Sequence, residues 1–279
     1  MGKLKHTFKS DILFKLTFVK HPHLLKRLVA AALEIPPGDI REFAVLNSEI
    51  TPEVLGKKLC RLDMHMKVNG EYIDAEMQVD DEGNFAERLL VYWSKVFSGA
   101  LDSGEDYAAV PRAVLISFVN FDMFGCGGYR SEFAAMERHR HEILTDKMNI
   151  VVFELGKLPE EVDRNNMLEL FLRLFRADTE EEMENLKKLE VDEMTEMVDA
   201  YREIVDSPDY ADLERRRVMA RLDYGQALRH AAEVERTKWQ GVVADKDAKW
   251  QTVVADKDAT VAEQAAIIAE LRARLGGDK

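Results

Sequence analysis

Residues 61–78 read RLDMHMKVNGEYIDAEMQ, two runs in which apolar and polar residues alternate on either side of Asn69-Gly70. Asn-Gly between two such runs is the strongest short-range signal for a β-hairpin, because both residues accept the positive φ angles of a type I′ turn. With these residues at the turn, Val68 pairs with Glu71, and the residue numbers of each pair sum to 139. The sequence therefore predicts an antiparallel hairpin with a defined register.

The predicted register sorts the side chains onto two faces of the hairpin. One face is apolar throughout: Leu62, Met64, Met66, Ile73, Ala75 and Met77. The other face carries Arg61, Asp63, His65, Lys67, Tyr72, Asp74, Glu76 and Gln78. A shift by one residue would mix the two sets, so we expect the apolar face to lie in the core.

Asp63 and Glu76 are direct cross-strand neighbours in this register, with Cβ atoms about 4.5–5.5 Å apart. Like charges so close destabilise a hairpin unless something compensates them. Arg61 or a nearby lysine is one candidate, and a divalent cation is the other. Two converging carboxylates suit Mg²⁺, which prefers oxygen ligands and keeps several waters. Gln78 would border the same position.

The rest of residues 1–158 predicts helices around a mixed sheet. In chain order we expect two helices within 8–34 separated by Pro22, a helix over 82–102, a strand over 110–121, a loop at 125–128 with a short helix after it, and a strand over 148–158. Both later strands are nearly continuous apolar runs, typical of strands buried on both faces. The fold class is therefore α/β.

Residues after Pro159 predict helices only. An apolar helix near 168–175 precedes two more, over 180–204 and 211–235. Trp239 and Trp250 then start two copies of an 11-residue repeat. Eleven residues over three turns give about 3.67 residues per turn, which favours a straight or slightly right-handed coiled coil. Its apolar seam is Trp239, Val243, Trp250, Val254, Val261, Ala265 and Ile268.

This seam predicts a partner helix, because a single helix would leave two tryptophans in water. We expect self-association, with packing onto the chain's own body as the alternative. The predicted organisation is a core over 1–158, an acidic helical region over 159–235 and a coiled coil over 236–279.

The composition excludes several classes of protein. The sequence contains no run of about 18 apolar residues, so we expect no transmembrane helix. The basic N-terminus is not followed by the apolar segment of a signal peptide. Two cysteines, Cys60 and Cys126, cannot build a disulfide framework. We therefore expect a cytoplasmic protein.

The net charge of −13 argues at first against a nucleic-acid partner. The charge is unevenly distributed, however. Residues 1–61 carry eleven basic and six acidic side chains, whereas residues 176–215 carry five basic and fifteen acidic ones. A basic surface near the carboxylates is therefore compatible with the sequence.

Several short stretches of the sequence together resemble a known family. Asp63 followed by Glu76-Met77-Gln78 resembles the core of PD-(D/E)xK nucleases, and the chain is similar more narrowly to the Rpn family of recombination-promoting nucleases and related transposases. The matching stretches follow in order: DILFKLTF from Asp11, Leu62-Asp63, Glu76-Met-Gln, Arg88 with Tyr92-Trp93-Ser94, Gly104-Glu-Asp-Tyr107, VLISF from Val114, LTDKM from Leu144 and FELGK from Phe153.

The resemblance implies a Mg²⁺- or Mn²⁺-dependent DNA endonuclease linked to recombination or mobile elements. Asp63 and Glu76 would be metal ligands, and Asp11 would supply a third acid. Gln78 takes the place of the catalytic lysine, which is a departure from the wider superfamily. It can orient a water molecule but supplies no positive charge. The implied contacts to DNA phosphates are Lys57, Lys58, Arg61 and Arg88.

Two other functions stay open. One is a DNA-binding or scaffold protein on a catalytically degenerate nuclease fold, which the glutamine and the net acidity favour. The other is transposase-associated strand transfer, for which the sequence shows no separate DNA-binding module. The run His139-x-His141-Glu142 predicts an exposed segment rather than a metal site.

Overall fold

The computed structural model describes residues 2–46, 64–79, 81, 83–101, 104 and 106–276. The chain divides into two compact units, Met1–Arg215 and Arg216–Lys279. The strands are β1 (Phe43–Val45), β2 (Met64–Val68), β3 (Glu71–Gln78), β4 (Ala113–Val119), β5 (Arg130–Phe133) and β6 (Met148–Glu154). The helices are α1 (Asp11–Lys20), α2 (Pro22–Ala32), α3 (Phe85–Ser98), α4 (Met167–Arg176), α5 (Glu180–Lys187), α6 (Asp192–Val205) and α7 (Pro208–Gly276).

The described strands form one mixed sheet in the order β1-β2-β3-β4-β6-β5. β3, β4 and β6 are parallel neighbours, and the other pairs are antiparallel. Every described pair between β2 and β3, from Val68 with Glu71 to Met64 with Ala75, sums to 139. Asn69 at the turn has φ 49°. The mixed sheet and the hairpin register are therefore confirmed.

The sheet is covered on both faces. Val114, Ile116 and Phe118 of β4 belong to a large core cluster shared with α1, α2 and α4–α6. Leu115 and Val119 belong to a smaller cluster under α3. The polar face of β3 lies on the α3 side, because it alternates with the apolar face that enters the large cluster.

Local signals set the ends of the helices. The side chain of Ser10 accepts a hydrogen bond from the Leu13 N–H at the start of α1. Pro22 is the first residue of α2, where its missing N–H costs nothing, so the predicted break between two helices is confirmed. Thr179 and Glu182 form a reciprocal capping box that begins α5.

Opposite charges bring the basic N-terminal helices and the acidic helices together in the first unit. The ion pairs are Lys9–Asp178, Lys20–Glu203 and Arg27–Glu193. Part of the positive charge of the N-terminal segment is therefore neutralised within the fold. α4–α6 pack on α1 and α2 through the large core cluster, so the acidic helices are an integral part of this unit.

Three predicted elements differ from the structure. The short helix expected after residue 128 is wrong, because β5 lies there and supplies backbone partners to the open edge of β6. The helix predicted over 180–204 is two helices, since Glu190 between them has φ 56°. The helix predicted to end at residue 235 continues without a break to Gly276.

The second unit is the continuation of α7 and carries the 11-residue repeat. Trp239 and Trp250 are 63% and 67% exposed, and the valines between them are exposed as well. A coiled coil needs a second helix, so this element stays a prediction. Of the helices in the described part of the chain, none is both long and apolar enough to cross a membrane.

Candidate active site

Glu76 is a carboxylate buried in the middle of the sheet. It lies on β3 opposite Ser117 of β4 and is only 2% exposed. The Ser117 hydroxyl donates a hydrogen bond to Glu76 Oε1 at 3.3 Å. Buried carboxylates are rare unless they are paired or functional, so this residue marks the strongest candidate site on the sheet.

Arg88 of α3 joins Glu76 to Gln78. Its Nη2 lies 3.8 Å from Glu76 Oε2 and donates a hydrogen bond to Gln78 Oε1. The guanidinium also lies 5.2 Å from the ring centroid of Phe85 and 5.3 Å from that of Tyr92. These aromatic residues share one side of α3 with Arg88, and contacts of this kind stabilise a cation over a ring. α3 therefore holds a positive charge against the two predicted site residues of β3.

The burial of Glu76 changes its acidity. Removal from water raises the pKa of Glu76 from 4.5 to about 7, and the charge of Arg88 and the hydrogen bonds from Ser117 and Arg88 oppose that rise. The desolvation effect is larger because the carboxyl group is almost completely enclosed. Glu76 therefore exchanges its proton near neutral pH, a property that is common among functional carboxylates.

A second buried carboxylate lies along the same edge of the sheet. In the parallel register Gln78 pairs with Val119, and Val119 pairs with Glu154 at the end of β6. Glu154 Oε1 accepts hydrogen bonds from the N–H groups of Met123 at 2.7 Å and Phe124 at 3.1 Å. It also lies 2.7 Å from Lys157 Nζ. Glu154 thus fixes the loop that follows β4, next to the strand ends that carry Gln78.

Sequence reasoning gave no role to Ser117 or Glu154. Both lie in stretches that resemble the family, and each is a polar residue within an apolar run. That interruption is the signal in the sequence: a polar residue in a strand buried on both faces needs a partner, and its partner belongs to the site or its frame.

The predicted third acid, Asp11, lies in another layer. It is the first residue of α1, and its side chain accepts a hydrogen bond from the Ile12 N–H at 2.9 Å. α1 packs on the face of the sheet opposite α3, where Phe14 contacts Phe118. Within the described residues, the hydrogen-bond and ion-pair partners of Glu76 are Ser117 and Arg88, and Asp11 is not among them.

The other predicted site residues are not part of the described structure. Asp63, Lys57, Lys58 and Arg61 all lie outside the described residues. The structure therefore brings together Glu76, Gln78 and Arg88 from the predicted set, and it adds Ser117 to their contacts.

The oxygen atoms of this site suit a hard cation. Glu76 offers a carboxylate and Gln78 an amide oxygen from the same face of β3, both of which are ligands that Mg²⁺ accepts. Glu76 is also held with little solvation, so an ion that contacts it would restore favourable interactions lost on burial. Together with one more carboxylate, the oxygen atoms of Glu76 and Gln78 would fit a divalent metal.

One comparison with known proteins gives a match. A family model described as PD-(D/E)XK nuclease family transposase matches residues 8–231, well over half of the chain. The match includes the β2–β3 hairpin, α3 and the acidic helices α4–α6. No curated protein and no solved structure matches the chain.

Proposed function

The chain belongs to the PD-(D/E)XK nuclease family transposases, and from this premise we propose that it is a cytoplasmic, Mg²⁺-dependent DNA endonuclease that acts in recombination or on mobile elements. The main support for this proposal is the buried Glu76 carboxylate, which lies on the same central strand as Gln78 and faces Arg88 of α3. This arrangement offers metal-binding oxygen atoms and a positive charge within one small volume.

In this proposal Glu76 and Asp63 hold the metal, Mg²⁺ or Mn²⁺. The pairing sum of 139 that holds across the described hairpin is also the sum of 63 and 76, which supports Asp63 as the second ligand. The bound ion would activate a water molecule and stabilise charge that develops on the phosphate. A carboxylate must be ionised to bind it, so metal binding would displace the proton from Glu76.

Gln78 and Arg88 would divide the work that one lysine performs elsewhere in the superfamily. The Gln78 amide can accept and donate hydrogen bonds, so it can orient the attacking water. Arg88 carries the charge that glutamine lacks, and its planar guanidinium can bind two phosphate oxygens at once. The contact between their side chains supports this shared role. Lys57, Lys58 and Arg61 complete the proposed contacts to DNA.

Replacing Arg88 with alanine should lower the rate of Mg²⁺-dependent plasmid nicking about 100- to 1,000-fold, the cost of removing one preorganised donor from a charged transition state. The nicking rate of the Arg88→Lys variant should lie between those of the wild type and Arg88→Ala, because lysine keeps the charge but loses the planar donor pair. The matched control is Lys95→Ala, which removes an exposed cation from the same helix. Nicking by Arg88→Ala at the rate of the wild type would contradict a catalytic role for Arg88.

We further propose that α7 joins two chains into a dimer, so that two sites act on opposite strands of a duplex. The exposed tryptophans and valines of the 11-residue repeat support a helix–helix contact, because apolar side chains at this spacing form a continuous seam. Each tryptophan can bury a large apolar area against a partner helix.

The double variant Trp239→Ser, Trp250→Ser should convert a dimer to a monomer in size-exclusion chromatography with light scattering at micromolar protein concentration. The control is Asp245→Ser with Asp256→Ser, which has the same spacing but lies about 140° around the helix from the seam. A wild-type chain that is monomeric, or a tryptophan variant that stays dimeric, would overturn the proposed interface.

The second candidate is a DNA-binding or scaffold protein that no longer cleaves. The observation in its favour is the pair Gln78–Arg88, where a neutral side chain replaces the lysine and an arginine lies against the Glu76 carboxylate. This function predicts salt-sensitive DNA binding without cleavage and no heat on titration with Mg²⁺. Calorimetry with MgCl₂ therefore separates the two candidates.

A further inference from the structure

We propose that His21, His23 and Glu196 form a second metal site, separate from Glu76, that binds a transition-metal cation of the Zn²⁺ type. It is the one group of three or more histidine, cysteine or acidic residues with metal-binding spacing in the described part of the chain. The site lies where α1 meets α2, and it links that junction to α6.

The ligand atoms already lie at nearly the required distances. One nitrogen of each imidazole and one carboxylate oxygen all fall within 4.8 Å of one another. Glu196 Oε1 is 3.3 Å from His21 Nδ1 and 2.7 Å from His23 Nε2. A tetrahedral Zn²⁺ with bonds of about 2.0–2.1 Å holds its ligands about 3.3 Å apart. The spacing of His21 and Glu196 thus needs little change, and the contact between His23 and Glu196 must open by about 0.6 Å. The two imidazole nitrogens, which lie within 4.8 Å of each other, must settle at about the same spacing.

The backbone holds these side chains in place without a metal. The His21 N–H donates to the Thr17 carbonyl at 2.9 Å, and the His21 carbonyl accepts from the Leu24 N–H at 3.0 Å. Pro22 fixes the backbone between the two histidines. The site is therefore preorganised on its α1–α2 side, which lowers the entropy cost of binding an ion.

The α6 side is equally well supported. Glu196 precedes Met197 and Val198, both buried in the large core cluster, so the helix cannot turn away from α1. The outer part of the site is adaptable, since His23 is 59% exposed and can shift its ring at low cost. The surface position also leaves room for water as a fourth ligand.

The chemistry of the ligands selects the ion. Imidazole nitrogen suits Zn²⁺, Cu²⁺, Ni²⁺ and Co²⁺, whereas Mg²⁺ prefers oxygen. Two cationic side chains of the same helices, Lys20 and Arg27, are already paired with Glu203 and Glu193, which weakens their repulsion of an ion. The site would thus take a different metal from the one proposed for Glu76.

An occupied site would cross-link segments that are far apart in the chain. His21 and Glu196 are separated by 175 residues, and a bond between them through an ion restrains the fold much as a disulfide does. Zinc should therefore raise the melting temperature of the wild-type protein by about 5–10 °C when the free ion is at roughly 100 times its Kd. MgCl₂ at the same concentration should not raise the melting temperature in this way.

The test uses the full chain carrying Glu76→Gln, which removes a ligand of the proposed Mg²⁺ site. This background should bind ZnCl₂ with a 1:1 stoichiometry in calorimetry and give a visible Co²⁺ absorption of tetrahedral intensity. Adding His23→Ala should weaken binding roughly tenfold or more and remove the Co²⁺ band, since two ligands rarely hold the ion. Adding Glu196→Gln should also weaken zinc binding and remove the Co²⁺ band, although the amide can still accept hydrogen bonds from the two imidazole rings.

The matched control is His139→Ala with His141→Ala, which removes the chain's other His-x-His pair from an exposed segment. This control should keep the affinity for zinc and the Co²⁺ band. Zinc binding that survives both His23→Ala and Glu196→Gln, or no binding in the Glu76→Gln background, would overturn the proposal. These outcomes are independent of DNA cleavage, so they do not depend on the proposed nuclease function.

Discussion

Replacing Glu76 with glutamine should abolish Mg²⁺-dependent cleavage and at the same time stabilise the metal-free protein by about 3 kcal/mol at pH 8. The stabilisation follows from the pKa of Glu76, which burial raises from 4.5 to about 7. Each pKa unit corresponds to about 1.4 kcal/mol of differential interaction, so a rise of the pKa from 4.5 to about 7 amounts to about 3 kcal/mol.

The sign of this effect follows from proton binding. Between pH 4.5 and about 7 the folded protein holds a proton on Glu76 that the unfolded chain has lost, so the stability of the wild type falls as the pH rises. Above pH 7 both states are ionised, and the full penalty of the buried charge remains. Glutamine carries no such charge, so the variant should not show this fall.

Urea unfolding in the presence of EDTA at pH 5 and pH 8 measures both stabilities. The matched control is Glu71→Gln on the same strand, where the half-buried glutamate lies 3.4 Å from Arg112 Nη1. Such a pair contributes about 0–1 kcal/mol, so the control should change little at either pH. A difference between Glu76→Gln and the wild type that is the same at both pH values would contradict the assigned burial of the charge.

Replacing Glu154 with alanine should lower the free energy of unfolding by about 3–5 kcal/mol, because it leaves a charged partner unpaired in the interior. The carboxylate is fully buried, and it accepts hydrogen bonds from the N–H groups of Met123 and Phe124 and contacts Lys157. Both N–H groups lose their acceptor at once, and Lys157 loses its ion pair and keeps a hydrogen bond to the Phe124 carbonyl. The variant should also lose cleavage activity, since the loop beside Gln78 is no longer fixed.

Urea unfolding at pH 7 measures this loss, with Glu160→Ala as the control. Glu160 is exposed a few residues further along the chain, and its removal should change stability by less than about 0.5 kcal/mol. Glu154→Gln should lie between the two, because the amide oxygen can still accept from the backbone. Stability of Glu154→Ala within the range of the control would show that this carboxylate does not organise the loop.

The hairpin could be predicted from sequence because its determinants are local. Asn69 and Gly70 fix the turn, and the alternation on either side fixes which face is apolar. Pro22 likewise marks the break between α1 and α2 from its own stereochemistry. The parallel strands β4 and β6 follow from the length of their apolar runs, since only strands covered on both faces are apolar throughout.

The environment of the site could not be predicted, because it depends on contacts across the fold. The alternation around Glu76 suggests a half-exposed face, but α3 covers that face and buries the carboxylate. The contact of Arg88 with Gln78 joins a helix to a strand and has no fixed spacing in sequence. The sequence does not predict β5, because its residues have a weak strand pattern of their own and pair only where the edge of β6 is available.

The pairing of His21 and His23 with Glu196 lies beyond local reasoning for the same reason. A His-x-His run is common on protein surfaces, and His139-x-His141 in this chain is another. Only the packing of α6 on α1 brings the carboxylate to the first of these runs. The more distant in sequence the partners of a site are, the less a single sequence specifies it.

Plasmid nicking at pH 8 in the presence of MgCl₂ is the direct test of the proposed Mg²⁺-dependent nuclease site, with the wild type, Glu76→Gln, Asp63→Asn and Glu71→Gln compared at equal concentration. We expect nicking by the wild type and Glu71→Gln that stops with EDTA, and none by the Glu76 and Asp63 variants. Nicking at the wild-type rate by Glu76→Gln, or no nicking by the wild-type protein with either Mg²⁺ or Mn²⁺, would contradict it.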